Sequence, residues 1–152
     1  MKVKAISLNR KAYHDYDIQE SVEAGIVLTG TEIKSIRAGS VNIRDAYAHP
    51  QGAELWLFNA HIARYEGGNR YNHEPTRPRK LLLHRRQMDE LAGKVTQKGF
   101  TIVPLKLYIK NGIAKVELGL AKGKKLYDKR QSIARREAER EMERALKLAK
   151  RG

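Results

Sequence analysis

The sequence predicts a mainly β fold: a six-stranded antiparallel closed barrel, OB-like, with two to three short helices and a basic C-terminal tail. Three observations predict it. Apolar residues recur at every second position through much of the chain, the period of a half-buried strand. The strand-like runs are short and separated by Gly, Pro and Asn, and six or so such strands suit a small barrel. From Lys122 onward the alternation stops and charge takes over.

The elements follow in chain order. "YDI", residues 16–18, is a weak strand signal, and "GIVLTG", residues 25–30, reads as a short buried strand. "TEIKSIRAG" reads as a helix with Thr31 as its N-cap, Ile33 and Ile36 three apart, and a stop at Gly39. "VNIRDAYAH" and "AELWLF", joined through Pro50, Gln51 and Gly52, read as a hairpin, and "AHIAR" as a weaker strand. Glu66 to Lys80, "EGGNRYNHEPTRPRK", is a 15-residue loop with two prolines, and a loop of that length is often functional. "RRQMDELAGKVTQKG" places Met88, Leu91, Ala92 and Val95 at helical spacing and stops at Gly99.

"TIVPLKLYIKNGIAKVELGL" carries the clearest signal. Val103, Leu105, Leu107 and Ile109 alternate before Asn111-Gly112, and Ala114, Val116, Leu118 and Leu120 alternate after it. Asn-Gly between alternating runs marks a two-residue type I′ turn, which needs positive φ twice. Pro104 cannot donate to a ladder, so it marks an edge or a bulge.

Residues 1–121 therefore form the barrel domain and 122–152 the tail. The tail holds 12 Lys and Arg against 5 Asp and Glu, a net +7, which is half of the chain's +14. Leu126, Ile133, Met142, Leu146 and Leu148 are too few to dock it firmly on a core. Wound as a helix from about Ile133, it would place Arg136, Arg140, Arg144, Lys147 and Arg151 in one stripe. Ala134, Ala138, Met142, Ala145 and Ala149 would lie opposite. Arginines four apart repel, so the tail is expected to be disordered when free and to become helical on a polyanion.

Charge bounds the function. A chain at +14 with a pI near 10.1 points to a polyanion partner, and nucleic acid leads. A membrane is disfavoured, since no apolar stretch approaches the ~20 residues of a span. The absence of cysteine excludes disulfides and thiolate metal sites. The first residues show no apolar signal segment, so the expected location is cytoplasmic.

An enzyme reading has weak support. His14-Asp15 and His73-Glu74 are adjacent acid–base pairs, which would suit a ribonuclease. Sequence neighbours seldom face each other usefully, however. Gly25 to Gly30 has phosphate-loop spacing, but Thr31-Glu32 stands where a Lys and a hydroxyl are needed. No carboxylate or His cluster points to a metal, and no cofactor is expected. Basic residues beside aromatics fit RNA better. Arg10 and Lys11 neighbour Tyr13, His14 and Tyr16, while Arg77, Arg79 and Lys80 lie on a proline-stiffened loop. Lys34 and Arg37 add charge. This pattern suits structured RNA recognised by shape, and a generic RNA chaperone or ribosomal protein is an alternative.

"NRKAYHDY", "EAGIVLTGTEIKSIRAGS", "PTRPRKLLL", "KGFTIVPLKLY" and "AKGKKLYDKR" stand in order from Asn9 to Arg130. Together they resemble the small protein B family, the SsrA-binding proteins of bacteria. The resemblance implies an OB-like barrel that binds the tRNA-like part of transfer-messenger RNA and delivers it to stalled ribosomes for trans-translation. It implies a monomer without catalytic activity that meets the small-subunit decoding region. It also implies indirect partners through the RNA, alanyl-tRNA synthetase and elongation factor Tu. By motif match, Asn9, Glu23 and Leu82 contact or support the RNA. His14 faces the decoding centre, and Gly123, Lys124, Lys125, Asp128, Lys129 and Arg130 carry the tail motif. Arg10, Lys11, Lys34, Arg37, Arg77, Arg79 and Lys80 join the RNA-binding set on charge. The tail is then expected to track the empty message channel as a helix.

Overall fold

The structure, a computed structural model, describes residues 3–67 and 72–123, with residues 140, 141 and 144. The chain divides into two units, Met1–Lys122 and Gly123–Gly152. The first begins with β1 (Val3–Leu8), α1 (Arg10–Asp15), β2 (Tyr16–Ile26) and α2 (Gly30–Arg37). Four short strands follow: β3 (Val41–Asn42), β4 (Tyr47–Gln51), β5 (Glu54–Phe58) and β6 (His61–Ile62). It ends with β7 (Arg79–Leu82), α3 (Arg85–Lys98), β8 (Thr101–Lys110) and β9 (Ile113–Gly123). Among the described residues no helix is long and apolar enough to cross a membrane.

The fold is mainly β. Seven strands pair in the order β1-β8-β4-β5-β7-β2-β9, β8 pairs with β9 as well, and β3 pairs with β6 in a separate two-stranded sheet. Every ladder whose register is resolved is antiparallel. The strand count exceeds the expected six because β1 adds to β8, β7 emerges from the end of the long loop, and β3 and β6 pair apart from the main sheet.

The Asn-Gly hairpin forms as expected. Asn111 and Gly112 take φ of 51° and 81°, which sets Lys110 opposite Ile113 and Tyr108 opposite Lys115. Its apolar face differs from simple alternation. The register shifts between Pro104 and Lys106, so Leu105 is the bulged residue. Ile102 and Leu107 therefore share the main core, while Val103 and Leu105 turn to a second cluster with Ala12 and Ala121. Gly119 makes room for this, since a Cβ there would lie 2.9 Å from Leu105 Cδ1.

Other boundaries move for local reasons. α2 starts two residues earlier than expected, with Thr29 rather than Thr31 as N-cap. The Thr29 hydroxyl accepts from the Glu32 amide while Glu32 accepts from the Thr29 amide, a capping box. The strand expected at 25–30 is the end of the longer β2, and Val27 leaves it with its amide donating to Lys80 O. The second hairpin starts at Tyr47, because Val41 and Asn42 pair instead with Ile62 and His61. α1 was not expected. It has little apolar periodicity and depends on Asn9, whose side chain accepts from the Ala12 amide at 3.0 Å.

The main core gathers Ile36, Ile43, Leu55, Leu57, Ile62, Ile102, Leu107, Val116 and Leu118, all at most 1 % exposed. Each such side chain contributes about 1.5–3 kcal/mol by leaving water. Met88 and Leu91 attach α3 to it, and Leu81 attaches β7. In the second unit Arg140, Glu141 and Arg144 are helical and exposed. The remaining residues of the expected basic stripe lie outside the described residues.

Candidate nucleic-acid interface

The polar outer face of β2, β9 and β8 carries the first part of the site. Glu23 stands exposed on β2. The phenol hydroxyl of Tyr108 donates to Glu23 Oε2 in a short hydrogen bond, and Lys110 Nζ lies 3.5 Å from the same oxygen. The Tyr108 hydrogen bond, helped by Lys110 and Lys115, holds the Glu23 carboxyl below the usual carboxylate range. Burial, then the Glu23 contact, pushes the Tyr108 phenol upward. The carboxylate is thus ionised and braced on a basic surface.

Leu82 comes next, and it is 50 % exposed. Alternation along β7 sends Leu81 inward and Leu82 outward, so Leu82 is not a core leucine. It pairs with Gly25, two residues along β2 from Glu23 and on the same face. A Cβ on Gly25 would meet Leu82 Cβ at 3.3 Å, so glycine lets the leucine lie close over β2. A carboxylate and an exposed apolar side chain thus share one sheet face.

The loop arginines behave otherwise. Arg79 is fully buried. Its Nε donates to Glu32 Oε2 at 2.6 Å, and its remaining donors reach Ala60 O at 2.6 Å and Pro75 O at 2.9 Å. Arg77 joins the same carboxylate, with Nε 3.1 Å from Oε2 and a short contact to Oε1. Burial raises the Glu32 pKa, but the Arg77, Thr29 and Arg79 hydrogen bonds outweigh it and hold the carboxyl below its ordinary value. Asn9 is interior as well, 2 % exposed, donating to Ile43 O at 3.1 Å and Pro104 O at 2.8 Å. Arg79 and Asn9 thus lie beneath the surface, with their polar atoms committed to the protein's own carboxylate and carbonyl groups.

The other expected cations are accessible. Lys34 and Arg37 are exposed on α2, with Lys34 Nζ 5.4 Å from the Tyr65 ring centre. Lys80 lies 3.3 Å from Glu54. On α1, Arg10 and Lys11 are exposed, and Lys11 pairs with Asp45 at 2.8 Å. His14 is exposed with Nδ1 2.9 Å from Asp15 Oδ1, so these two sequence neighbours do meet. His73 does not pair with Glu74. It is buried between the Thr31 hydroxyl and Ile62 O, each at 2.8 Å, which is a structural bridge. Gly123 closes β9, while Lys124, Lys125, Asp128, Lys129 and Arg130 lie outside the described residues.

Sequence reasoning missed Tyr108, Lys110 and Lys115 around Glu23. The signal was present in the Asn-Gly register, which places Tyr108 opposite Lys115. It also missed Asn42 and Arg44, which line an open hollow with Leu8, Asn9, Arg10, Lys11 and His14. Nothing in the spacing of those segments brings them together.

Comparison with known proteins adds the family. The model of the SmpB protein family matches residues 6–148. The SsrA-binding protein of Shouchella clausii is 63 % identical over 149 residues, covering 98 % of this chain and 96 % of the relative. That of Carboxydothermus hydrogenoformans is 62 % identical over 144 residues, covering 95 % and 97 %. A solved chain described as "tmRNA-SmpB: a journey to the center of the bacterial ribosome" superposes with a TM-score of 0.66. It is 54 % identical, and the match covers 78 % of this chain and 83 % of that one.

Proposed function

The chain belongs to the SmpB family, and from that premise we propose that it binds the tRNA-like part of transfer-messenger RNA and brings it to stalled ribosomes for trans-translation. The observation that carries this reading is that Glu23 and Leu82, whose strand partner is Gly25, share one sheet face, with Lys110 and Lys115 near the carboxylate. An exposed leucine costs hydration unless something covers it, and a base stacked on it would do so. Glu23 offers an acceptor to a base amino group, while the lysines neutralise the backbone. Arg10, Lys11, Lys34, Arg37, Arg77 and Lys80 extend the cationic surface, with Asn9 and Arg79 holding the elements beneath it.

The circuit of pairings through β8, β4, β5, β7, β2 and β9 supports a closed, OB-like barrel. The protein acts as a monomeric binding partner in the cytoplasm, not as an enzyme. Alanyl-tRNA synthetase and elongation factor Tu meet it only through the RNA. His14 lies at the decoding centre of the small subunit. The tail, with Gly123, Lys124, Lys125, Asp128, Lys129 and Arg130 at its root, carries its charge along the message channel. Gel shifts comparing transfer-messenger RNA with ordinary tRNA test the reading. A clear preference for the former is expected, and equal binding of both would refute it.

A further inference from the structure

We infer that Tyr108 is a positioning residue for RNA recognition, holding Glu23 so that one carboxylate oxygen faces a base edge. This rests on the RNA-binding reading above and deepens it. An exposed glutamate on a strand samples many rotamers, and fixing it costs side-chain entropy. Tyr108 removes much of that cost before any ligand arrives. Tyr108 is 7 % exposed on β8, so its hydroxyl is an anchored donor reaching Glu23 on β2. The ammonium of Lys110 approaches the same oxygen, at 3.5 Å. Both contacts fall on Oε2, so Oε1 is the atom turned to a partner. A lone carboxylate oxygen accepts from an exocyclic amino group, from the ring N–H of guanine or uracil, or from a ribose 2′-hydroxyl. The site therefore takes a hydrogen-bond donor of the RNA, next to the stacking surface of Leu82.

The alternative is that Glu23 serves only to satisfy a half-hidden tyrosine hydroxyl, with no bearing on RNA. A double-mutant cycle separates the two. Wild type, Tyr108→Phe, Glu23→Ala and the double variant are compared for transfer-messenger RNA binding and for thermal melting. Phe keeps the ring packing and removes only the hydroxyl. Loss of one hydrogen bond to a charged group should weaken binding about fivefold or more. In the Glu23→Ala background the same substitution should change nothing, because Tyr108 acts through Glu23. The Glu23 carboxyl, followed by NMR without RNA, should titrate at higher pH in Tyr108→Phe, with Lys110 of β8 and Lys115 of β9 still facing it. Unchanged binding in Tyr108→Phe, or equal weakening in both backgrounds, overturns the inference alone. Wild-type protein that fails to prefer transfer-messenger RNA over tRNA overturns the underlying reading with it.

Discussion

Arg79 Nε lies 2.6 Å from Glu32 Oε2, and both side chains are fully shielded from solvent. The pair ties the foot of the long loop to the first turn of α2. It is also saturated: Glu32 accepts from Arg77 and the Thr29 amide, and Arg79 donates to the carbonyls of Ala60 and Pro75. A buried ion pair stabilises only when its remaining polar atoms are satisfied, as they are here.

Arg79→Ala should therefore destabilise the fold by several kcal/mol, because it leaves the Ala60 and Pro75 carbonyls buried without their donor, at about 1–3 kcal/mol each, while Glu32 keeps only Arg77 and the Thr29 amide. Denaturant melts check this. Arg37→Ala, at an exposed position, should leave the melt nearly unchanged and make the salt dependence of RNA binding shallower by roughly 0.7–0.9 in log–log slope. If Arg79→Ala instead melts like wild type, the buried pair is not holding the loop.

Acidity should act on the same carboxylate. Its folded-state pKa is lowered from the ordinary 4.5, so ionised Glu32 adds stability that is fully present above that value. The contribution is lost as pH falls through the lowered folded value, since the unfolded state then binds the proton more readily. Thermal melting from pH 7 down to pH 3 should show a loss in wild type that is shallower in Glu32→Gln. Parallel profiles would show that another group sets the acid limb.

How far the sequence speaks is clear from neighbouring residues. The hairpin turn at Asn111-Gly112 and the stop at Gly99 were legible because each demands a backbone conformation that few residues adopt. The bulge was half legible: Pro104 signalled it, but not that Leu107 would change faces. Thr29 and Thr31 are both plausible caps, and only Glu32 in the capping box selects the first. Arg79 read as a solvated loop cation because its partner sits 47 residues away, beyond any local pattern. Leu82 was ambiguous within three consecutive leucines until the pairing of Leu81 with Leu55 fixed which one points inward.

Those leucines give a clean contrast. Leu81→Asp buries a charge in the main core and should unfold the protein. Leu82→Asp places the charge at a half-exposed position, so circular dichroism should stay native while transfer-messenger RNA binding falls at least tenfold, as expected when a base-stacking contact of about 1–3 kcal/mol is replaced by a like charge facing RNA. Loss of fold in both variants would remove Leu82 from the interface.

The tail should be dispensable for RNA binding and required for tagging. The core clusters reach no further along the chain than Ala121 among the described residues. Glu23, Leu82, Tyr108 and the α2 cations likewise belong to the first unit. Removing residues 124–152 should then leave stability within about 0.5 kcal/mol of wild type, as expected for a segment too poor in large apolar residues to dock on a core. It should also keep most of the preference for transfer-messenger RNA over tRNA, though the lost cations will flatten the salt dependence. The tail's excess positive charge needs a dense polyanion, and ribosomal RNA supplies one. Tagging on stalled ribosomes should accordingly fail for the truncated protein. It should fail equally when Asp128, Lys129 and Arg130 are all changed to alanine. Proline at Glu139 should have a similar effect if the tail works as a helix, since a mid-helix proline costs ~3 kcal/mol. Normal tagging by the truncated protein would show that the charge held in these residues serves no step on the ribosome.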